Sequence, residues 1–518
     1  MGGLLIAGTS SDAGKSLVSA GLCRALHRRG VDVAPFKAQN MSNNSMICPG
    51  GAEIGRAQWL QAVAARVPPS ADMNPVLLKP GDDRTSHIVV DGYPHGVLRS
   101  GEYATGRDEL ARAAFAAYSR LAGRHQVVIC EGAGSPAEIN LRHRDYVNMG
   151  LARRFALPVV LVGDIDRGGL LASLYGTWAL LEKPDRDLLS GYVINKFRGD
   201  VDVLRPGLEE ITGRTGMACL GVLPWLRGMW LDGEDVLTLG RWRSPTSRAR
   251  AGSLRVAVVA LPRISNATDV DALAHEPGVQ VLVTEDPDAV AGADLAVLPG
   301  TRATVSDLDW VREHGIDTAL RQRVSSRSPI LGICGGFEML GESIVDDVES
   351  GLGTVPGLGL LPVRTHFGAE RTQRLAAHRW GEHVVHGYEI HHGQCRAHEP
   401  VEAFLDGVRS GPVWATMLHG ALEHDEFRRD WLTHVARQAG SRWQPQVGTS
   451  GAQPSEHVTG GEHQTTRGAY NERRERMLDA LAAAVEENLD LDALLRLAGH
   501  HPGAASPARV ATESEEPP

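Results

Sequence analysis

The 518-residue sequence lacks several features that would point to other classes of protein. It has no run of about 18 consecutive apolar residues, the length that a membrane-spanning helix requires. Its six cysteines are scattered, with no Cys-x-x-Cys pair, so we expect reduced thiols and a cytoplasmic protein. An excess of basic charge is also absent, because 53 Lys and Arg face 63 Asp and Glu, for a net charge of −10. This balance argues against nucleic acid or an anionic membrane as the main partner.

Lysine is scarce as well. Only five of the basic residues are lysine, and the simplest cause is a codon bias that favours arginine. The remaining lysines are therefore enriched at positions that need a compact ammonium on a flexible stem. They are Lys15, Lys37, Lys79, Lys183 and Lys196.

Short apolar runs alternate with helical patterns twice along the chain. Such runs, apolar on both faces and separated by helices, indicate parallel sheets covered on both sides. The fold class is therefore α/β, with two tandem α/β domains. The predicted divisions are a domain at 1–242, a linker at 243–253, a second domain at 254–437, a flexible insertion at 438–468, a helical segment of the second domain at 469–499 and a disordered tail at 500–518.

A glycine-rich loop joins the first predicted strand to the first predicted helix. Its spacing is Gly-x5-Gly-Lys-Ser, one residue longer than the usual phosphate loop, and it resembles the loop of dethiobiotin synthetase and its relatives. Backbone N–H groups and the helix N-terminus favour phosphate there, which predicts an ATP site. The expected nucleotide contacts are Gly8, Thr9, Ser11, Asp12, Gly14, Lys15 and Ser16.

Two more strand ends are expected at this site. Glu131 follows the predicted strand Val127-Val-Ile-Cys130 and is placed to hold Mg²⁺ together with Ser16. Asn195 follows another strand, where its amide is predicted to read the adenine edge. A purely structural role for either residue remains open.

A second motif has the form of a nucleophile elbow. Cys334 lies in Gly332-Ile-Cys-Gly-Gly336, between a predicted strand and a predicted helix, where small neighbours permit a strained turn. A helix N-terminus favours the thiolate, which is the nucleophile. The N–H groups of Gly335 and of Gly300, at an earlier strand end, are the expected oxyanion-hole donors.

A thiol nucleophile needs a base, and the sequence offers 21 histidines. His419 is the preferred candidate because it ends an apolar strand in His-Gly. His386, His391 and His392 are its rivals.

Together these motifs resemble the cobyric acid synthase family, the glutamine-dependent amidotransferases of cobalamin synthesis. The resemblance covers nearly the whole chain, and Phe36-Lys-Ala-Gln-Asn-Met41 is its most specific segment. Other matching segments are Gly51 to Gln58, Asp72 to Pro80, Glu131 to Asn140, Asn195 to Asp200, Leu298 to Thr301 and Gly387 to His391.

The resemblance implies a phosphate-loop domain followed by a flavodoxin-like class I glutamine amidotransferase domain. It implies ATP- and glutamine-dependent amidation of the b, d, e and g carboxylates of a corrinoid, adenosylcobyrinic acid a,c-diamide. Cys334 and His419 would release ammonia from glutamine, Lys37 would assist substrate activation, and Glu53 would join Ser16 and Glu131 at the metal.

The sequence departs from the wider glutaminase pattern at one position, because no Glu lies two residues after His419. This favours a Cys-His dyad over a triad. Two alternatives stay open: the related a,c-diamide synthase, and a partitioning-type ATPase switch fused to a non-catalytic amidotransferase module. The oligomeric state is not predicted.

Overall fold

The computed structural model of the chain describes residues 2–81, 85–99, 106–226, 229, 252–445 and 470–500. Its amino-terminal half is built on a six-stranded parallel sheet, as the unbroken apolar runs predict. The strands of this half are β1 (Gly2–Gly8), β2 (Val33–Phe36), β3 (Gln39–Met41), β4 (Ser45–Ile47), β5 (Glu53–Gly55), β6 (Val76–Pro80), β7 (Thr85–Val90), β8 (Tyr93–Arg99), β9 (Val127–Glu131), β10 (Val159–Asp164), β11 (Leu189–Phe197) and β12 (Ala218–Pro224).

The parallel sheet has the strand order β12-β11-β10-β1-β9-β2. Its central strand β1 therefore lies between β9 and β10, and the carboxyl ends of all three strands meet at one edge. The other strands form a four-stranded sheet, β3-β6-β7-β8, and a separate hairpin of β4 and β5.

Helices cover both faces of the parallel sheet because alternate β1 side chains point to opposite sides. Leu4 and Ile6 belong to one apolar cluster, and Leu5 and Ala7 belong to the other. The helices of this half are α1 (Lys15–Arg28), α2 (Arg56–Ala65), α3 (Arg107–Arg124), α4 (Met149–Phe155), α5 (Leu170–Leu180), α6 (Lys183–Arg186) and α7 (Val201–Thr215).

The second half contains a seven-stranded sheet in which five neighbouring strands are parallel, with the order β14-β13-β15-β16-β23-β22-β21. A four-stranded sheet, β18-β17-β19-β20, lies beside it. The strands are β13 (Leu254–Val259), β14 (Val279–Thr284), β15 (Leu295–Leu298), β16 (Ile330–Ile333), β17 (Ser343–Asp346), β18 (Gly353–Pro356), β19 (Val363–Trp380), β20 (His383–Ala397), β21 (Glu402–Phe404), β22 (Gly407–Ser410) and β23 (Val413–Thr416).

The helices of this half are α8 (Asp271–Ala274), α9 (Pro287–Gly292), α10 (Thr304–Glu313), α11 (Ile316–Ser325), α12 (Gly335–Leu340) and α13 (Asp425–Gln438). The last two helices of the described residues are α14 (Tyr470–Asn488) and α15 (Leu491–Leu497). Short 3-10 turns occupy Ala71–Met73, Arg142–Arg144, Ala267–Val270 and Ala421–Glu423. Two tandem α/β units are thus confirmed as the fold class. None of the helices in the described ranges has the length and apolarity to cross a membrane.

The carboxyl-terminal helices contact both domains, and α14 meets the second domain at Tyr470 and Arg474. The helical segment 469–499 was expected to complete the second domain, and α14 also packs along α1 of the first. Arg24 is 2% exposed and donates to Glu475 and Asp479 on α14, and a Cβ at Gly21 would approach Val485 to 2.7 Å. The apolar stripe of α14 is therefore buried against the amino-terminal domain.

The other predicted divisions are described only in part. Residues 438–445, expected to open the flexible insertion, include the end of α13 and the buried Trp443, whose Nε1 donates to the Pro277 carbonyl over 3.0 Å. The first residues of the predicted insertion therefore pack against the second domain. The rest of the insertion, most of the linker and the tail from 501 lie outside the described residues.

Candidate active site: two centres

The phosphate loop runs from β1 to α1, as predicted. Gly14 is left-handed (φ 95°), and a Cβ there would collide with the Asn195 amide, so the position requires glycine. Lys15 Nζ donates to the carbonyls of Ser10 (2.9 Å) and Gly134 (3.0 Å). The ammonium is therefore held over the mouth of the loop, where a phosphate would meet it.

Glu131, at the end of β9, is the most connected side chain of this centre. Ser16 Oγ donates to Glu131 Oε1 over 2.8 Å, Lys37 Nζ lies 2.6 Å from the same oxygen, and Gln61 Nε2 donates to Oε2 over 2.5 Å. Burial raises the pKa of Glu131, but the Lys37 charge and these hydrogen bonds outweigh it and hold the pKa below its usual value. The carboxylate is therefore ionised.

The Ser16–Glu131 pair fits a magnesium ion. A hydroxyl and a carboxylate are hard oxygen donors, and Mg²⁺ at phosphate sites takes one or two protein ligands plus phosphate oxygens and water. Among the residues that the structure describes, no group of three or more His, Cys, Asp or Glu side chains is arranged to hold a metal.

Glu53 was expected at the same metal, and the structure places it elsewhere. It lies on β5 of the separate hairpin, fully buried, where Lys79 Nζ contacts Oε1 (2.6 Å) and Arg371 Nη1 contacts Oε2 (2.8 Å). Both oxygens are thus committed to cations, one of them from the second domain. Glu53 is part of the contact between the domains and not of the Ser16–Glu131 pair.

Asn195 contacts the phosphate loop, and its predicted contact with adenine stays a prediction. Its Nδ2 donates to the Ala13 carbonyl over 3.0 Å, and the residue is 3% exposed. The side chain therefore stabilises the phosphate loop through a hydrogen bond to its backbone. Asp164, which no sequence motif marked, pairs with Asn195 in the register of β10 and β11. Its carboxylate accepts from Lys196 Nζ over 2.7 Å, and the same ammonium donates to the Asp12 carbonyl over 2.9 Å.

The cysteine elbow has the predicted form. Cys334 sits between β16 and α12 with φ 50° and ψ −112°, a strained conformation for a residue with a side chain. Its N–H donates to the Thr416 carbonyl (2.9 Å), which ties the elbow to β23. A Cβ at Gly336 would collide with the Leu298 carbonyl, so the elbow packs directly on the end of β15.

His419 lies beside Cys334 and is completely buried. Its Nδ1 is 2.6 Å from Asp269 Oδ2, and Asp269 Oδ1 accepts from the Gly420 N–H over 2.8 Å. Burial lowers the pKa of His419, but the charges of Asp269 and Cys334 outweigh it and raise that pKa to about 10. The ring is therefore protonated at neutral pH.

Asp269 corrects the expected dyad. The third member that the sequence lacks after His419 is supplied instead by the 3-10 turn Ala267–Val270, 150 residues earlier. Two-point binding by one carboxylate fixes both the ring and the chain after it. No motif in the sequence marked this aspartate, because only the folded chain brings it to His419.

The two glycines expected as oxyanion-hole donors lie close to Cys334 and His419. A Cβ at Gly335 would lie 3.1 Å from Thr301 N, and one at Gly300 would lie 3.2 Å from His419 Cε1, so both glycines border the pair. His391 binds the Gly393 carbonyl, His392 the Gly368 carbonyl, and His386 contacts His424 through its backbone. His419 alone of these four histidines has a carboxylate on one ring nitrogen and Cys334 beside it.

Two domain families match the chain in the same order as its two sheets. One described as the CobQ/CobB/MinD/ParA nucleotide binding domain matches residues 4–231. One described as the CobB/CobQ-like glutamine amidotransferase domain matches residues 255–427. Each match contains one of the two centres described above.

Curated relatives match over nearly their whole length. A cobyric acid synthase of Cutibacterium acnes is 59% identical over 96% of this chain and 100% of its own. Those of Mycolicibacterium gilvum (52% identical, 98% and 99% covered) and Streptomyces avermitilis (53% identical, 96% of each covered) are similar. A solved glutamine amidotransferase, 24% identical over 36% of this chain and 98% of its own, has a TM-score of only 0.30, which supports no argument.

Proposed function

The chain belongs to the cobyric acid synthase family, a family of glutamine-dependent ligases, and we propose that its two centres together amidate the b, d, e and g carboxylates of adenosylcobyrinic acid a,c-diamide. The observation that carries the proposal is the presence of both halves of the chemistry in one chain. Lys15, Ser16 and Glu131 suit phosphoryl transfer, and Cys334 and His419 suit ammonia release.

Glutamine hydrolysis is assigned to the second domain. The Cys334 thiolate attacks the glutamine carboxamide carbon, and the N–H groups of Gly300 and Gly335 are assigned to the developing oxyanion. Protonated His419, held by Asp269, gives its proton to the departing ammonia. Neutral His419 then takes a proton from the water that cleaves the thioester.

Carboxylate activation is assigned to the first domain. The N-terminus of α1 and Lys15 are assigned to the ATP phosphates, and Lys37, 2.6 Å from Glu131, is assigned to the acceptor carboxylate. Ser16 and Glu131 would hold Mg²⁺, which would neutralise charge on the transferred phosphoryl group. Ammonia then displaces phosphate from the acyl phosphate.

The proposed limits of the two domains are 1–242 and 254–437, and the ranges of the two matched families support them.

The alternatives have less support. The a,c-diamide synthase is disfavoured because the relatives reported above are cobyric acid synthases. A non-catalytic amidotransferase module would have no need for the strained Cys334 beside a protonated, carboxylate-held His419. Since ATP and glutamine are cytoplasmic metabolites, we also place the reaction in the cytoplasm.

The test is direct reconstitution. The protein is incubated with ATP, Mg²⁺, glutamine labelled in its amide nitrogen, and either cobyrinic acid or its a,c-diamide. Mass spectrometry should show the label entering the a,c-diamide at four carboxylates. Labelling of the a and c positions of cobyrinic acid would instead support the related synthase, and hydrolysis of ATP without labelling would support the switch.

A further inference from the structure

The loop that carries Asp269 is held by the amino-terminal domain. The 3-10 turn Ala267–Val270 begins at Asn266, a non-glycine residue in the left-handed conformation (φ 50°, ψ 44°). That conformation is uncommon outside glycine and persists where the surroundings enforce it. The surroundings here come from residues 43–45, which belong to the other domain.

Two asparagine side chains each accept a hydrogen bond from a backbone N–H of the opposite domain. Asn44 Oδ1 accepts from the Ala267 N–H over 2.9 Å, and Asn266 Oδ1 accepts from the Ser45 N–H over 3.1 Å. The Asn43 carbonyl also accepts from the Asn266 N–H at 3.4 Å. Asn44 and Asn266 are each 3% exposed, so water does not replace these bonds.

The Asn44 carboxamide takes the place of a cap. The first N–H groups of a helical turn have no partner within the turn and are usually satisfied by its own N-cap side chain. Asn266 makes no such bond, because its side chain is used by Ser45. The Ala267 N–H therefore depends on Asn44, and Asp269 lies two residues further along the same turn.

Asn44 is itself fixed within its own domain. Its N–H donates to Ser42 Oγ (2.9 Å), and its carbonyl accepts from the Arg56 N–H (3.0 Å) at the start of α2. The same helix carries Gln61, which donates to Glu131 Oε2. One short helix thus contacts both the phosphate-loop centre and the residue that holds the Asp269 turn.

We propose that Asn44 is a positioning residue for glutamine hydrolysis, acting across the domain contact by holding the turn that places Asp269 against His419. Asn44 touches neither Cys334 nor His419, so its effect passes through the Asp269 carboxylate. The inference rests on the proposed role of Asp269. It adds that the glutaminase centre is completed by a side chain of the ATP-dependent domain.

The experiment compares Asn44→Ala with Asn43→Ala. The Asn43 side chain donates to Pro80 of its own domain, and its contact with Asn266 is through the backbone, so Asn43→Ala is the matched control. We expect Asn44→Ala to lower kcat for glutamine hydrolysis about 10- to 100-fold with KM for glutamine little changed. Ammonia-dependent amidation should stay within about twofold, and Asn43→Ala should resemble the unmodified protein.

Two readouts separate positioning from a general loss of structure. Because Asp269 raises the pKa of His419, a displaced Asp269 lets that pKa fall, and the alkaline limb of the glutaminase pH profile moves to lower pH. Asn44→Asp keeps the acceptor oxygen and should recover part of the activity. If Asn44→Ala does not fold, Asn44→Leu removes the same acceptor at similar volume and carries the same expectation.

A double substitution distinguishes a failure of the proposed Asn44 role from a failure of the Asp269 role on which it rests. In an Asp269→Asn background, Asn44→Ala should cause little further loss, because both act through one group. A full additive loss, or normal kcat in a folded Asn44 variant while Asp269→Asn is impaired, overturns the positioning role alone. Normal glutamine hydrolysis by Asp269→Asn itself would instead remove the triad on which the inference rests.

Discussion

The phosphate-loop centre is assembled from neighbouring strand ends of one sheet, whereas the glutaminase centre also uses a turn that contacts the other domain. Lys15 and Ser16 follow β1, and Glu131 ends the strand next to it. Asp269 and His419 are 150 residues apart, and the turn that carries Asp269 leans on Asn44 of the other domain. The second centre therefore depends on a contact between the domains, whereas the contacts described for the first lie within one domain.

This difference has a physical consequence for coupling. Ammonia is useful only when an activated carboxylate is present, and a glutaminase completed by the synthetase domain ties the two reactions to one folded unit. Changes at either centre should consequently affect the two half-reactions unequally, and four substitutions measure how unequally.

The largest effect is expected from Cys334→Ala. Without the thiol no thioester forms, so glutamine-dependent amidation should fall by roughly three powers of ten or more. Amidation with added ammonium salts should continue, because activation is assigned to the other domain. Parallel assays with the two nitrogen sources test this, with Cys219→Ala, a half-buried thiol on β12, as the control. Equal loss with both sources in a folded variant would contradict the division of labour.

Glu131→Gln should have the next largest effect, and at the other centre. The amide keeps the shape but removes the charge that binds a hard cation, so amidation should fall by roughly two powers of ten with either nitrogen source, about 3 kcal/mol. Glutamine hydrolysis should fall far less. Excess Mg²⁺ should recover part of the loss, and the exposed Glu138→Gln on the following loop serves as the control. Unchanged Mg²⁺ dependence and rate would leave Glu131 with a structural role.

The sequence was sufficient for features that lie within one motif or one strand. The parallel sheets, the phosphate loop and the Cys334 elbow follow from local patterns, because strand, turn and helix signals there are contiguous. Asp269 and the partners of Glu53 could not be predicted, since each is defined by a contact between segments that only folding brings together. The same applies to α14. Its apolar stripe predicts that the helix is buried on one side, but the pattern does not say which apolar surface covers that side.

Asp269→Asn should have an intermediate effect, confined to glutamine hydrolysis. We expect kcat to fall about 10- to 100-fold, because the ring loses the carboxylate that orients it and stabilises its charge. The pKa of His419 is raised to about 10 in the native protein, so the proton is held across the neutral range and lost as pH rises through that value. In the variant this loss should begin at lower pH, since the Asp269 charge no longer opposes the effect of burial on the His419 pKa.

A pH–rate profile of glutamine hydrolysis for both proteins measures that shift. Asp271→Asn is not a suitable control because Asp271 is fully buried, whereas Asp286→Asn, at the exposed start of α9, keeps its own cap. An alkaline limb at the same pH in the native protein and in Asp269→Asn would show that Asp269 does not set the charge of His419.

Asn195→Ala should have the smallest effect, and its character separates two roles. If Asn195 supports the loop through Ala13, losing one hydrogen bond of about 1 kcal/mol should raise KM for ATP about three- to tenfold and leave kcat nearly unchanged. KM for GTP should rise by the same factor, because the phosphates are common to both nucleotides. If the amide instead reads the adenine edge, KM for ATP should rise more than KM for GTP, so that the two KM values become more nearly equal. Measuring both nucleotides in the ammonia-dependent reaction, where the glutaminase centre takes no part, therefore isolates what Asn195 contributes to the phosphate-loop centre.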